Sequence, residues 1–452
     1  MRDASNGSWQ PMLTSEQAAA AVEVARDVAF RLRERDCVEA AIVAAAQQTA
    51  FPKSTHWEAP GVAQGYAGLA IMCSYLDACF PDDDWDAIGH EYLTFAAQGA
   101  ERQTYLPTGL FSGLSGLAFA AWSLSRRGTR YRKLIASIEE AFLPQTVALA
   151  EQLSQQRHGV SVGQFDVISG LAGVGAYLLC RRDAAAPAAA LQAVLRSFVA
   201  LTQEEAGVPR WHTPPRLMAD EMMLRQYPNG NLNCGLAHGI PGPLAVLALA
   251  YRAGVVVEGQ ADAIDRVAGW LACHRADDAW GVNWPTAVPL NSNADLPGTE
   301  TASHSMLPSR TAWCYGSPGV ARALWLVGEA LDNQEYRDLA VTAMEAVYRR
   351  PLAERRIDSP TFCHGVAGLL QITLRFAHDT GRPCFTEAAR ALNTQLLAEY
   401  DPDTRLGYYS LEPGMQRVDQ PGLLDGVPGV VLVLLAAATD KEPSWDRLFL
   451  LS

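Results

Sequence analysis

A short motif with two glycines recurs seven times along this chain of 452 residues, and it restricts the possible folds more than any other feature. Each copy is a polar residue followed by Gly-x-x-Gly, and it opens an apolar run of helical length. The intervals between copies vary from 48 to 77 residues, and the first glycines are Gly65, Gly113, Gly170, Gly239, Gly316, Gly365 and Gly426. Repetition on this scale predicts stacked supersecondary units in place of independent domains.

The segments between the copies predict a second kind of helix. Stretches such as 133–152 and 333–349 are amphipathic and charged, which is typical of helices with one solvated face. The pattern therefore predicts seven helical hairpins, each with a small apolar inner helix and an amphipathic outer helix. We expect an all-α fold, an (α/α)7 toroid; the alternative is an open solenoid, although solenoids usually keep a more constant period. The capping-box sequence at 14–17 predicts one further helix over 18–35.

The distribution of Pro, Gly and Ser bears on domain organisation. No stretch is rich enough in these residues to act as a linker, so the sequence predicts a single domain over residues 1–452. The two widest intervals between copies contain segments with several prolines and tryptophans. We expect these segments to form long functional loops near 200–232 and 275–308.

Composition excludes several classes of protein. Apolar residues make up 49% of the chain and charged residues 19%, which allows a large core and excludes a disordered chain. The net charge is −13 and no window concentrates Lys and Arg, so nucleic acid and anionic membranes are excluded as main partners. The most apolar run, 427–438, is too short to span a bilayer, and the N-terminus lacks the apolar segment of a secretory signal. With nine scattered cysteines and no CxxC pair, we expect a cytoplasmic protein without a transmembrane segment.

The residue before each first glycine is polar in all seven copies. If all inner helices start at one end of the ring, these side chains meet at its mouth. They are Gln64, Ser112, Ser169, His238, Tyr315, His364 and Asp425. Ser and Asp favour helix N-caps, which accounts for Ser112, Ser169 and Asp425. Capping does not account for two histidines and a tyrosine, so these three are candidates for chemistry.

Cysteine occupies the preceding position in the fifth and sixth copies, as Cys314 in WCYG and Cys363 in FCHG. Adjacent hairpins would bring both thiols together with His364. Two thiolates and an imidazole suit Zn²⁺, and three ligands leave one tetrahedral position open, as in catalytic zinc sites. Two buried structural cysteines and a capping histidine are the alternative, and the residues alone leave both interpretations open.

Three further residues lie near these motifs. Asp166, four residues before Gly170, and Arg310, in SRTAWCYG, each suit either a site or an ordinary ion pair. Cys234, in NLNCGLAHG, approaches the loop of His238, whereas the remaining cysteines lie mostly in apolar helical runs.

These motifs resemble those of the lanthionine synthetase C-like family, the lanthipeptide cyclases. The matching segments are NCGLAHGIPGP (233–243), SRTAWCYGSPGV (309–320), TFCHGVAGLL (361–370), FDVISGLAGVG (165–175) and LLDGVPGV (423–430). The resemblance covers the full ring and implies one Zn²⁺ per chain, held by Cys314, Cys363 and His364. No kinase-like or dehydratase-like region precedes the toroid, so we expect a stand-alone cyclase.

The resemblance also implies an activity and a set of roles. The family adds a peptide cysteine to dehydroalanine or dehydrobutyrine, giving a lanthionine or methyllanthionine thioether. The addition leaves an enolate, and His238 would protonate its α-carbon. Asp166 would orient or protonate a histidine, Arg310 would stabilise the enolate oxygen, and Tyr315 is a further candidate for proton transfer. The implied partner is a dehydrated precursor peptide, with a dehydratase and an exporter as further candidates.

Three other functions remain as alternatives. A zinc-dependent alkyl or prenyl transferase also activates thiols, but such enzymes usually have a carboxylate among their metal ligands. A glycosidase needs two carboxylates across a cleft, and only Asp166 and Asp425 qualify. A non-catalytic scaffold that binds zinc and a peptide or thiol would need the metal ligands alone. Because the candidate acid–base residues are also present, the sequence favours catalysis.

Overall fold

The computed structural model describes residues 9–52, 56–218, 221–290 and 309–452. These residues are mainly helical, and the α-helices are α1 (Ser15–Arg33), α2 (Arg35–Gln48), α3 (Tyr66–Cys79), α4 (Trp85–Glu101), α5 (Leu114–Ser123), α6 (Arg132–Gln155), α7 (Val162–Phe165), α8 (Leu171–Cys180), α9 (Ala185–Leu201), α10 (Glu221–Gln226), α11 (Pro241–Arg252), α12 (Gln260–Cys273), α13 (Ser317–Ala330), α14 (Gln334–Arg349), α15 (Leu352–Arg355), α16 (Val366–Thr380), α17 (Pro383–Ala398) and α18 (Val427–Ala438). Two 3-10 helices span Pro215–Leu217 and Ser444–Phe449.

The β structure in the described residues consists of short antiparallel pairs. The strands are β1 (Glu204–Glu205), β2 (Val208–Pro209), β3 (Asn231–Asn233), β4 (Ala287–Pro289), β5 (Ser410–Glu412) and β6 (Gln416–Val418). β1 pairs with β2, β3 with β4, and β5 with β6. In the second pair Asn233 lies opposite Ala287, so the loop before α11 is joined to the segment 287–289.

Contacts divide the chain into two compact units, each assembled from three segments. The first consists of Met1–Thr104, Ala120–Tyr131 and Ile357–Asp446. The second consists of Tyr105–Phe119, Arg132–Arg356 and Arg447–Ser452. Neither unit is one continuous stretch of the chain, so no single boundary in the sequence separates the two.

The first unit contains three of the predicted inner helices. α3 packs on α4, α16 on α17, and α18 on α1. α18 is buried along nearly its whole length, from Val427 to Ala437, whereas α1 buries only one face. The N-terminal helix is therefore the outer partner of the last inner helix, and the capping box predicted at Thr14 is present at its start. Trp9 secures this arrangement, because its indole Nε1 donates to the carbonyl of Ala436 at 2.8 Å.

The second unit contains the inner helices α8, α11 and α13. α8 packs on α9, α11 on α12, and α13 on α14, and α11 also contacts both α8 and α13. α13 is buried from Ser317 to Gly328, whereas α14 buries one face. The side-chain oxygen of Asn333 starts α14 by accepting two backbone N–H groups. Both predicted kinds of helix are thus confirmed in this unit.

Each inner helix follows a loop of the same construction. In five copies the N–H of the residue after the first glycine donates to a carbonyl seven residues earlier; the pairs are Tyr66–Ala59, Leu114–Pro107, Ile240–Asn233, Val366–Ser359 and Val427–Gln420. A helix leaves its first N–H groups without partners inside the helix, and this loop supplies an acceptor. The seven predicted helix starts are confirmed to within two residues of the first glycine.

The glycines are required by close packing within and between these loops. A Cβ atom at six of the seven first glycines would lie 1.8 to 2.3 Å from a backbone carbonyl oxygen, and at Gly170 it would lie 2.5 Å from a backbone nitrogen. The second glycine faces a neighbouring loop. A Cβ at Gly68, Gly173, Gly242, Gly319 or Gly429 would lie 2.8 to 3.1 Å from a side-chain atom three residues before another copy's first glycine. Glycine is therefore required in the repeated motif because a side chain would not fit, and not only because glycine tolerates unusual backbone angles.

Backbone hydrogen bonds join successive loops inside each unit. In the second unit Phe111 N donates to Ile168 O, Val167 N to Ala237 O, and Ala237 N to Cys314 O, at 3.0 to 3.3 Å. In the first unit Cys363 N donates to Leu424 O and Leu424 N to Ala63 O, at 3.0 and 3.3 Å. Within each unit the inner helices therefore start side by side, as the repeat predicted.

The N-cap interpretation of Ser169 and Asp425 is wrong, because the caps are Gly170 and Gly426 and the polar residue lies one position before the cap.

The expected loop near 200–232 contains β1, β2, a 3-10 turn and α10, apart from residues 219–220, which lie outside the described residues. Residues 291–308 of the second expected loop also lie outside them. In the described part of the chain, no helix combines the length and apolar character needed to cross a membrane.

Candidate active site

Asp166 is placed by the turn between two helices of the third repeat. α7 ends at Phe165, and Oδ1 of Asp166 then accepts the backbone N–H groups of Ser169 and Gly170, both at 2.8 Å. The residue is only 1% exposed. Its carboxylate therefore satisfies N–H groups at the start of α8 that the glycine cap cannot satisfy.

The other carboxylate oxygen of Asp166 orients His238. Oδ2 lies 2.7 Å from Nδ1 of His238, whose side chain is 38% exposed. Because Oδ1 is already occupied by two donors, the carboxylate acts as acceptor on both oxygens, and Nδ1 of His238 carries the hydrogen. Nε2 is then the ring nitrogen available to a substrate. The resemblance implied that Asp166 acts on a histidine without naming it, and the histidine that Asp166 contacts is His238.

Tyr315 lies beside this pair. The ring centroids of Tyr315 and His238 are 6.2 Å apart, and Tyr315 is half-buried. Its hydroxyl accepts a hydrogen bond from Nδ2 of Asn233 at 3.2 Å. A Cβ at Gly235 would lie 2.5 Å from two atoms of the Tyr315 ring, so only glycine lets the ring lie against this loop.

Asn233 is a residue that sequence reasoning missed. It lies in the motif NCGLAHGIPGP, but a single asparagine there has no signature that separates it from a structural amide. Its contact with Tyr315 joins residues 82 positions apart. The pairing of β3 with β4 and the packing of two loops create that contact, and neither can be read from local sequence.

Arg310 is placed differently from the other candidates. Its side chain is exposed, and it forms no hydrogen bond or ion pair with another described residue. Its backbone carbonyl oxygen, by contrast, would lie only 1.8 Å from a Cβ atom placed on Gly316. The structure therefore gives the Arg310 backbone a clear role in the loop and leaves the guanidinium as a candidate for contact with a substrate.

The predicted metal ligands lie in equivalent loops. Cys314 and Cys363 stand two residues before the first glycines of their repeats, and His364 stands one residue before Gly365. These three are candidate metal ligands by residue type, with Cys363 and His364 in the first unit and Cys314 in the second. Cys314 is 6% exposed. Two sulfur donors and one imidazole in the absence of a carboxylate match the preference of Zn²⁺, so the donor set fits this ion.

A carboxylate also faces the candidate ligand His364. Its Nδ1 lies 3.4 Å from Oδ1 of Asp425, which is the equivalent position of the next repeat. The contact places an acidic side chain beside the imidazole of this candidate ligand.

The buried thiols outside this cluster have a different character. Burial raises the pKa of Cys234 to about 12, and its Sγ contacts the carbonyl oxygen of Leu232 at 3.6 Å. Burial also raises the pKa of Cys180 to about 11. These cysteines stay protonated near neutral pH and act as small apolar residues, so Cys234 is not supported as a site residue.

The fold and this group of residues define a class of protein: helical hairpins whose inner-helix loops hold a potential metal site and an oriented histidine. The chain belongs to the family of lanthionine synthetase C-like proteins, which matches residues 56–450. It is 26% identical over 377 residues to the nisin biosynthesis protein NisC of Lactococcus lactis subsp. lactis, and the match covers 82% of this chain and 83% of that protein.

The solved structure of a nisin cyclase has the same fold. It superposes with a TM-score of 0.72, covering 92% of this chain and 96% of that one, at 22% identity. The α/α toroid predicted from the repeated motif is thereby confirmed.

Proposed function

We propose that this protein is a zinc-dependent lanthipeptide cyclase. It adds cysteine thiols of a dehydrated precursor peptide to dehydroalanine or dehydrobutyrine and so closes thioether rings. Family membership and the similarity to NisC support the cyclase class. The observation that carries the zinc-dependent form of the proposal is the donor set of Cys314, Cys363 and His364, because two thiols and an imidazole at equivalent positions of successive repeats suit Zn²⁺.

The metal ligands account for activation of the thiol. A peptide thiol has a pKa of about 8.5, so only a small part of it is thiolate at neutral pH. Bound Zn²⁺ would supply the Lewis-acid charge that keeps the substrate sulfur as thiolate. Cys314, Cys363 and His364 would hold the ion, and the carboxylate of Asp425 lies beside the imidazole of His364.

The acid–base residues account for the proton balance. When sulfur bonds to the β-carbon, the double bond opens and negative charge moves to the carbonyl oxygen as an enolate. A proton must then reach the α-carbon. His238 is the proposed donor through Nε2, since Asp166 holds Nδ1 at 2.7 Å and stabilises the charged imidazole. Tyr315 and Arg310 are proposed to donate hydrogen bonds as charge develops on the oxygen.

The same proposal covers the setting of the enzyme. Its substrate is a dehydrated precursor peptide, and a dehydratase and an exporter are proposed as further partners. A cytoplasmic location is supported by the cysteines, all nine of which are described and none of which forms a disulfide. We also propose a single functional domain over residues 1–452, because each compact unit is built from three separated segments.

The test compares a ligand variant with a matched cysteine control. Purified protein is assayed for zinc content and for loss of free thiol in a dehydrated peptide. We expect about one zinc per chain, and we expect Cys314→Ala or Cys363→Ala to abolish both zinc and cyclisation. Cys273 is exposed and outside the cluster, so Cys273→Ala should change neither. Full zinc content in both ligand variants would overturn the metal assignment, and cyclisation without zinc would overturn the mechanism.

A further inference from the structure

Asn233 is held rigidly beside the candidate active site. It is the last residue of β3, it lies opposite Ala287 of β4, and it is 4% exposed. Its backbone carbonyl also accepts the N–H of Ile240 at the start of the fourth inner helix. Both the strand and the helix start therefore fix the position from which its side chain extends.

The orientation of the Asn233 amide is determined by its partners. One terminal atom lies 2.9 Å from the backbone nitrogen of Gly235, and the other lies 3.2 Å from the hydroxyl of Tyr315. A backbone N–H can only donate, so the atom facing Gly235 must be the oxygen. The NH₂ group consequently faces Tyr315 and donates to its oxygen.

This direction of donation determines what the phenol can do. Because the Tyr315 oxygen accepts from Asn233, the bond between them does not use the hydroxyl hydrogen of Tyr315. The ring itself lies against Gly235, where no side chain could fit, and beside His238. Position and hydrogen direction are thus imposed on Tyr315 from one loop, that of residues 233–239.

We propose that Asn233 is a positioning residue that directs the hydroxyl hydrogen of Tyr315 toward the substrate carbonyl oxygen on which charge develops. The inference rests on the proposed cyclase function and deepens it. Asn233 itself touches no substrate; it acts through Tyr315. Aspartate has the same shape and still accepts from Gly235, but its carboxylate cannot donate to the phenol.

The experiment uses Asn233→Asp, Tyr315→Phe and the double variant. We expect Asn233→Asp to lower kcat about 10- to 100-fold, because displacement of a hydrogen-bond donor weakens stabilisation of the transition state. KM should change less than about threefold and zinc content should stay near one per chain, because the ground-state contacts and ligands are retained. In the Tyr315→Phe background, the added Asn233→Asp change should cost less than about twofold.

The matched control is Asn231→Asp on the same strand. Asn231 is 1% exposed and its Nδ2 contacts the sulfur of Met218, so this change also introduces a carboxylate at a buried position of β3. It should leave kcat near that of the unmodified enzyme. If Asn233→Asp fails to fold, Asn233→Ala removes the same donor without adding a charge, and the same non-additivity with Tyr315→Phe is expected.

Two results would overturn the positioning role. One is an Asn233→Asp enzyme with unchanged kcat; the other is an undiminished effect of that change in the Tyr315→Phe background. Failure of the cyclase proposal is distinguishable from both, because the unmodified zinc-bound protein would then consume no thiol of the dehydrated peptide.

Discussion

Replacement of Asp166 by asparagine tests the acid–base pair with little change in shape. The amide oxygen can still accept the N–H groups of Ser169 and Gly170, which Oδ1 now holds at 2.8 Å. The amide NH₂ then faces Nδ1 of His238, which is 2.7 Å from Oδ2 in the native chain. Since the amide donates where the carboxylate accepted, His238 must accept on Nδ1 and carry its hydrogen on Nε2.

The structure allows the two consequences to be estimated separately. The two backbone hydrogen bonds become neutral, and each loses about 1 kcal/mol relative to a charged acceptor, so unfolding becomes about 2 kcal/mol easier. Loss of a correctly oriented acid–base group costs about 10²- to 10⁴-fold in rate, or about 3 to 5.5 kcal/mol in the activation barrier. Asp166→Ala would also remove the side-chain oxygen that accepts from both backbone N–H groups, with a cost of about 2 to 6 kcal/mol in folding stability.

The assay follows free thiol in a dehydrated peptide, with zinc content and denaturant unfolding measured on the same samples. We expect Asp166→Asn to keep its zinc and most of its stability while losing rate. Addition of His238→Asn should cost little more, because both changes disable one unit. A near-native rate for Asp166→Asn would show that Asp166 only caps α8, and loss of zinc would show that the rate falls through the fold.

Three further predictions concern stability. Gly316→Ala should cost about 1 to 3 kcal/mol more than Gly128→Ala, because both glycines have positive φ but only at Gly316 does a Cβ meet a backbone oxygen, at 1.8 Å; equal denaturant midpoints would contradict this. Burial raises the pKa of Glu399 to about 7, so protons bind the folded state more tightly and stability should fall as pH rises from about 4.5 to 7; Glu399→Gln should lose that dependence between pH 5 and 8 in thermal unfolding. Arg375→Met should cost about 3 to 5 kcal/mol, because it leaves Asp446, which is fully buried and 2.6 Å from the guanidinium, without its cation; an additional Asp446→Leu change should recover part of the loss.

The repeated motif was sufficient to predict the helical framework. Each first glycine is required because a Cβ would collide with backbone atoms of its own loop, so the requirement is local and is written in the sequence. The capping box at Thr14 is local in the same way. For this reason the helix starts and the alternation of inner and outer helices could be predicted without coordinates.

The polar residue before each glycine shows where local reasoning ends. Ser169 and Asp425 have cap-forming side chains, yet glycine occupies the cap position in both loops. Asp166, four residues before Gly170, satisfies the helix start instead. Residue type alone suggested the wrong role, because the geometry of the loop decides which side chain reaches the free N–H groups.

Sequence alone determined the number of inner helices, their starting points, the family and the candidate ligands, because these depend on spacing and on residue chemistry. Only the tertiary structure decided which groups meet. α1 pairs with α18 at the opposite end of the chain, His238 meets Asp166 across 72 positions, and Tyr315 receives its hydrogen bond from Asn233. These contacts arise from the packing of one loop against the next, and the free energy of such packing depends on surfaces that come together only when the chain has folded.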